Sequence, residues 1–342
     1  MPVKMTIPVR KLMRYRGWKV WMSYDMHVSL LAIFYILIVD NLFRPFDSLI
    51  LISSLGFYFM YGFLINDFYD MPYDIAAGKR RAVQELSRKE FIGIILLVVF
   101  ISALHLLYLK EPYYIATYVA SYILATLYSA PPIRFKNRGV LGIIINGFIE
   151  KMLPVLAVFA FFTHFGIDTL IFLIASFFIG IVDILTHQIY DYDDDLRNRI
   201  RTFVVDIGIE KGLKVFKSFI SPFSAVLMVI FSLLICIKVQ YASFIASLVF
   251  ITYAVAFLLI SKGKLSREEE VFPLYMSCLF LLILNALPPF LAFILVLENP
   301  LNMMLLLVSF ASQYYVVKYR FKAVREKVIP HIEIFVDTEQ ER

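Results

Sequence analysis

The sequence predicts an all-α, polytopic membrane helical bundle, and three observations carry that expectation. Hydrophobic residues make up 61% of the 342-residue chain, whereas a soluble domain averages about 45–50%. The apolar residues gather in runs of roughly 20, the length a helix needs to cross about 30 Å of hydrocarbon. The runs are continuous rather than alternating, which excludes a transmembrane β-barrel.

The elements follow in order along the chain. Residues 1–22, "MPVKMTIPVRKLMRYRGWKVWM", are basic and carry Trp18 and Trp21. They read as an amphipathic segment on the membrane surface, with the indoles at headgroup depth. They lack a compact apolar core and a cleavage site, so no cleaved signal is expected. Ten spans follow, at 26–43, 46–66, 91–109, 112–130, 139–162, 167–190, 214–237, 240–261, 271–297 and 299–317. The chain closes on a basic and polar tail, 318–342, and the whole reads as one domain, 1–342.

Loop charge sets the expected orientation. The second, fourth, sixth and eighth spans are followed by Lys79, Arg80, Arg81, Arg88 and Lys89; Arg134, Lys136 and Arg138; Arg197, Arg199, Arg201 and Lys211; Lys262, Lys264 and Arg267. The alternate loops hold little beyond Arg44, Lys110 and Lys238. Basic loops stay in the cytoplasm, so the N-terminus and every even loop are expected there, in a protein of the cell membrane. The net charge of +6 follows from these loops and needs no nucleic-acid partner. Cys236 and Cys278 both lie in apolar runs and read as small hydrophobes rather than a disulfide framework. Nothing in the pattern sets an oligomeric state.

The second span ends in "NDFYDMPYD", residues 66–74. Asn66, Asp70 and Asp74 repeat at intervals of four, which stacks side chains on one helical face. Pro72 is expected to kink the helix and leave Asp74 on a loop, with Gly78 as a later stop. The sixth span ends in "HQIYDYDDDLRNRIRT", where Asp191 and Asp195 are again four apart. His187 and Asp183 extend that face one and two turns deeper. Clustered carboxylates repel unless a cation shares them, and Mg2+ suits oxygen ligands completed by substrate phosphates. One acidic run beside a span is ordinarily a solvated loop. Two such runs on one membrane face point to metal, and through metal to a diphosphate.

Between them lies "YSAPPIRFKNRG", residues 128–139. Its prolines stiffen the loop, while Arg134 and Lys136 read either as phosphate ligands or as topogenic charge. The fifth span contains "NGFIEKMLP", with Asn146 and Glu150 on one face and Lys151 beside them. Ionisable groups so deep in a span need partners. Glu150 reads either as a base bordering an acceptor pocket or as a structural contact between helices.

These residues resemble the UbiA superfamily of intramembrane prenyltransferases. "NDFYDMPYD" fits its NDxxDxxxD signature, "DYDDD" its DxxxD signature, and "YSAPPIRFK" its YSxPPxxxK loop. The resemblance implies nine core helices around a central cavity under a cytoplasmic cap, the tenth span being extra. It implies Mg2+-dependent transfer of a prenyl group from an isoprenyl diphosphate to a lipophilic or aromatic acceptor within the membrane lipid. Carried over, Asn66, Asp67, Asp70 and Asp74 hold one metal, and Asp191 and Asp195 the other. Lys136 and Arg134 contact the diphosphate, and Tyr128 lines the site near the reacting carbon. His187 and Arg201 join the substrate-binding set. Lys79, Arg80 or Arg81 stands for the arginine of the family's Asn-Arg-Pro element, which is replaced here by "AAGKRRAVQELS" (residues 76–87), and Lys79 is counted in the substrate-binding set. A terpene cyclase on the same scaffold and a cation-coupled transporter are the alternatives.

Overall fold

The computed structural model describes residues 25–76, 78, 82–198, 200–239, 285 and 287–323. The amphipathic N-terminal segment, Lys79, Arg199, the eighth span, Cys278 and residues 324–342 lie outside the described residues. Those described are entirely helical and include no strand. We number the helices α1 (Met26–Val39), α2 (Pro45–Ala76), α3 (Arg88–His105), α4 (Pro112–Ser129) and α5 (Val140–Phe162). After these come α6 (Ile167–Tyr190), α7 (Tyr192–Arg197), α8 (Phe203–Ile207), α9 (Ile209–Lys238), α10 (Leu287–Glu298) and α11 (Met303–Ala323). Among the described residues, four helices are long and apolar enough to cross a membrane by length and composition alone: α2, α5, α6 and α9.

α1 is apolar on every side, and every residue from Met26 to Leu37 is buried. A helix of that kind belongs in the middle of a bundle. It packs against α5, α2 and α11. Around it α2 pairs with α3 and α4, α4 with α5, α5 with α6, and α6 with α9. The outer faces are apolar as well: Leu96, Phe100, Ile123, Phe219, Val226 and Ile237 are all exposed. An apolar surface of that extent suits hydrocarbon rather than water.

Local chemistry places the helix ends. Ser87 and Glu90 form a reciprocal capping box at the start of α3, each side chain accepting from the other's backbone N–H. Pro112 begins α4, where its missing N–H is harmless. Gly78, at φ +70°, closes the turn after α2 as expected. The expected kink at Pro72 does not end α2, which continues to Ala76 with Asp74 inside it. Pro72 is exposed and four residues from the helix end, so one missing rung of the backbone ladder is tolerated there.

Two helices widen into a π turn, at Phe148–Met152 in α5 and Phe216–Ile220 in α9. In each, a proline stands two residues further on, Pro154 and Pro222. Neither can donate to the carbonyl four residues back, Glu150 and Ser218, and the wider turn absorbs that defect. In α5 it lies just past the closest approach to α6. A Cβ on Gly180 would come within 2.9 Å of Gly147 Cα and 3.3 Å of Lys151 Cγ. Glycine at that crossing lets the Lys151 stem pass.

Candidate active site

α2 continues unbroken through its acidic motif, so Asn66, Asp70 and Asp74 keep their four-residue spacing on one partly exposed face. Asp67, one residue round the helix, is buried at 1% exposure and so stands apart from that face. The loop after α4 reaches back to it. Lys136 Nζ donates to Asn66 Oδ1 at 3.0 Å and also to Asp70 Oδ1. Arg134 donates to the same Asp70 oxygen at 2.9 Å, and its guanidinium lies over the Tyr73 ring at 4.6 Å. Ser129 Oγ donates to Asn66 Oδ1 at 3.2 Å.

The loop is shaped for this reach. Arg134 takes a left-handed φ of 41°, a conformation that costs a non-glycine residue about 1–2 kcal/mol and that gathers at functional sites. Arg138 ties the loop to itself by donating Nε–H to Ile133 O at 2.6 Å. Burial pushes the Lys136 ammonium below the usual lysine range, and the neighbouring Asp70 carboxylate offsets this only in part.

Near the end of α4 stands Tyr128, and on α5 the buried Asn146, whose side-chain oxygen has no hydrogen-bond partner among the described residues. Below them lies a charge cluster. Lys151, with no exposed side chain, contacts Asp25 at 2.7 Å, Glu150 at 3.3 Å and Asp183 at 3.7 Å. Breaking up a buried pair of this kind costs about 3–5 kcal/mol. Sequence reasoning found Glu150 and Asp183 but not Asp25, which lies 126 residues from Lys151. The signal was available: a lysine inside an apolar span demands a carboxylate.

The second acidic set lies where α6 gives way to α7. Asp191 occupies the junction, and the backbone bond Asp195 N to Asp191 O, 2.8 Å, preserves the four-residue spacing. Asp195 is buried, whereas Asp191 is partly open and faces His187 Nδ1 at 3.5 Å. His187 is itself well exposed rather than sunk in the span. Arg201 pairs with Asp206 at 3.1 Å on the outside of the cap. Among the described residues, no three His, Cys, Asp or Glu side chains already converge into a cation site.

The cap made by α7 and α8 is fastened to both neighbours. Val204 N donates to Gln188 Oε1 of α6 at 3.3 Å. On the other side, Asp206 Oδ2 comes close to Gly139, at the start of α5. A surface groove of about 380 Å³, lined by Leu49, Ser53, Ile101, His105 and Tyr108, lies near the opposite end of α2. It contains none of the acidic residues of either motif.

This arrangement is an all-helical scaffold in which the loop after α4 brings two cations onto the amide and carboxylate of α2. The sequence matches the UbiA prenyltransferase family over residues 28–281. The chain belongs to that family. No curated protein matches it at a significant level. Among solved structures, it resembles a UbiA homolog from Archaeoglobus fulgidus bound to GPP and Mg2+, at 20% identity and TM-score 0.59, covering 81% of this chain and 99% of that one. Another structure of a UbiA homolog from that organism aligns at 19% identity and TM-score 0.58, over 89% and 98% of the two chains. A structure described under digeranylgeranylglyceryl phosphate synthase aligns at 15% identity and TM-score 0.51, over 90% and 99%. At these identities the likeness is one of fold.

Proposed function

We propose that this chain transfers a prenyl group from an isoprenyl diphosphate to a lipophilic or aromatic acceptor within the membrane, releasing diphosphate with Mg2+ as cofactor. The observation that carries the reading is the meeting of Lys136 and Arg134 with Asn66 and Asp70. Anion-binding cations and metal-binding oxygens meet at one point, which suits a metal–diphosphate complex and little else. The Archaeoglobus homolog is bound to GPP and Mg2+ on a like fold, and membership of the UbiA prenyltransferase family supports an enzyme over a cation-coupled transporter.

The donor set fits the ion. Asn66, Asp70 and Asp74 present oxygens along one helical face, and both cations contact Oδ1 of Asp70 rather than Oδ2. A hard divalent ion requires such oxygen ligands. Asn66, Asp70 and Asp74 would hold one Mg2+ and Asp191 and Asp195 a second, while Asp67, buried off that face, is left out of the set. The chemistry a bound Mg2+ supplies is neutralisation of the leaving diphosphate.

The protein's own side chains do the rest. Lys136 and Arg134 turn from Asp70 to the diphosphate oxygens and His187 stands beside Asp191, while Arg201, once released from Asp206, and Lys79 are the further cations assigned to the substrate. The carbon–oxygen bond breaks with its electron pair leaving on diphosphate, and the acceptor's electron pair forms the new bond to the allylic carbon. The acceptor's proton passes to Glu150. Tyr128 faces the reacting carbon, Asn146 borders the acceptor, and ring faces there stabilise positive charge by about 0.5–2 kcal/mol each.

The same reading gives nine core spans and a tenth in one domain of 342 residues, a central cavity, and a cap facing the cytoplasm at the cell membrane. The test is pyrophosphate release from farnesyl or geranylgeranyl diphosphate by purified protein supplied with a membrane-lipid extract as acceptor source. Release is expected only with Mg2+ and is abolished in Asp70→Ala and Asp191→Ala. Metal-independent release, or full activity in both variants, overturns the assignment.

A further inference from the structure

The proposed mechanism uses Glu150 but leaves the charge behind it unexplained. Lys151 is fully buried, and three carboxylates from three helical elements close on it: Asp25 before α1, Glu150 on α5 and Asp183 on α6. They differ in access. Asp25 has 3% of its side chain exposed, Asp183 18% and Glu150 28%. Glu150 is the most open of the three. Consecutive residues of an α-helix point about 100° apart. The π turn at Phe148–Met152 lets Glu150 and Lys151 both face inward. Gly180, whose Cβ would crowd Lys151 Cγ at 3.3 Å, leaves the channel for the lysine stem.

We propose that Lys151 is a positioning residue for the deprotonation of the acceptor: anchored by Asp25 and Asp183, it holds the Glu150 carboxyl group in place. This inference rests on the prenyl-transfer reading for its purpose, though not for its geometry. The groups facing Glu150 are Lys151 beside it, Asp25 before α1, Asp183 on α6, Tyr58 on α2 and Tyr128 on α4. Lys151 is the cation among them. Removing its charge therefore makes Glu150 harder to ionise. Removing Asp25, which competes for the same ammonium, makes it easier.

The experiment reads Glu150 in two ways in Lys151→Met and Asp25→Asn, in detergent-solubilised full-length protein. One is the acid limb of kcat/KM against pH, with an isoprenyl diphosphate and a membrane-lipid extract as acceptor source. The other is an infrared titration of the carboxyl band that Glu150→Gln removes, which needs no turnover. We expect Lys151→Met to move both midpoints to higher pH by about one unit or more, a roughly tenfold loss of rate on the acid side. Asp25→Asn is expected to move them to lower pH. A carboxyl band that titrates alike in wild type and Lys151→Met overturns the inference, as does movement of both variants in one direction. A band that shifts as expected in a wild-type protein without Mg2+-dependent turnover upholds Lys151's hold on Glu150 and defeats the prenyl-transfer reading instead.

Discussion

The Oδ2 atom of Asp206 lies 3.6 Å from the point a Cβ on Gly139 would occupy. Asp206 belongs to the cap after α6 and Gly139 to the loop after α4, so the two basic loops flanking the acidic motifs meet there. Gly139 has φ +54°, a region open to glycine and uncomfortable for other residues. Gly139→Ala is expected to lower stability by about 1–2 kcal/mol. The check is thermal unfolding in detergent, and an unchanged midpoint counts against this loop contact.

Lys136 couples the loop to both Asn66 and Asp70. A charge-assisted hydrogen bond contributes about 1.5–3 kcal/mol, so Lys136→Met is expected to weaken prenyl diphosphate binding by roughly ten- to a hundredfold. Burial lowers the Lys136 pKa, so its charge, and with it diphosphate affinity, is lost at lower pH than for a free lysine. Lys136→Arg keeps its charge to far higher pH. An affinity–pH profile whose alkaline limb is identical in wild type and Lys136→Arg contradicts this role.

His164 joins the far ends of α1 and α6, with Nδ1 2.8 Å from Asp40 and Nε2 2.7 Å from Asp168. Burial opposes its protonation, but the bonds to Asp40 and Asp168 outweigh that and raise its pKa. The stability it adds is full below the free imidazole value of about 6.5 and is lost as pH rises through the higher folded value. The melting temperature of the wild type is expected to fall across that window. His164→Gln should flatten the profile, and an equal slope in both proteins argues against the latch.

Gly180 leaves room for two neighbours at once. A Cβ there would stand 2.9 Å from Gly147 Cα, which forces α5 and α6 apart. Overpacking of this kind costs about 1–3 kcal/mol, and Gly180→Ala is expected to unfold at lower temperature. A variant as stable as wild type places the helix crossing elsewhere.

Much of this site was legible from residue spacing. Periodicity placed Asn66, Asp70 and Asp74 on one face, and the i,i+4 relation of Asp191 and Asp195 survives across the α6–α7 junction. Arg134 and Lys136 read from the sequence as phosphate ligands or as topogenic charge, and their contact with Asp70 emerges only in the structure. Local rules were less dependable at Pro72, because a proline near an exposed helix end removes one bond without ending the helix. The least legible feature was the Asp25–Lys151 pair, since no local pattern announces a contact over 126 residues. The π turn that presents Glu150 and Lys151 together does leave a trace, a proline just beyond it.

The account depends on one leaving group gripped from two sides by groups that lie more than a hundred residues apart in the chain. The most direct measurement is a structure with Mn2+ in place of Mg2+ and a non-reactive prenyl thiolodiphosphate, the metals located by anomalous scattering. We predict one diphosphate with a metal peak beside Asp70 and another beside Asp191. Peaks on separate ligands, or the two carboxylates opening into different compartments, would contradict it.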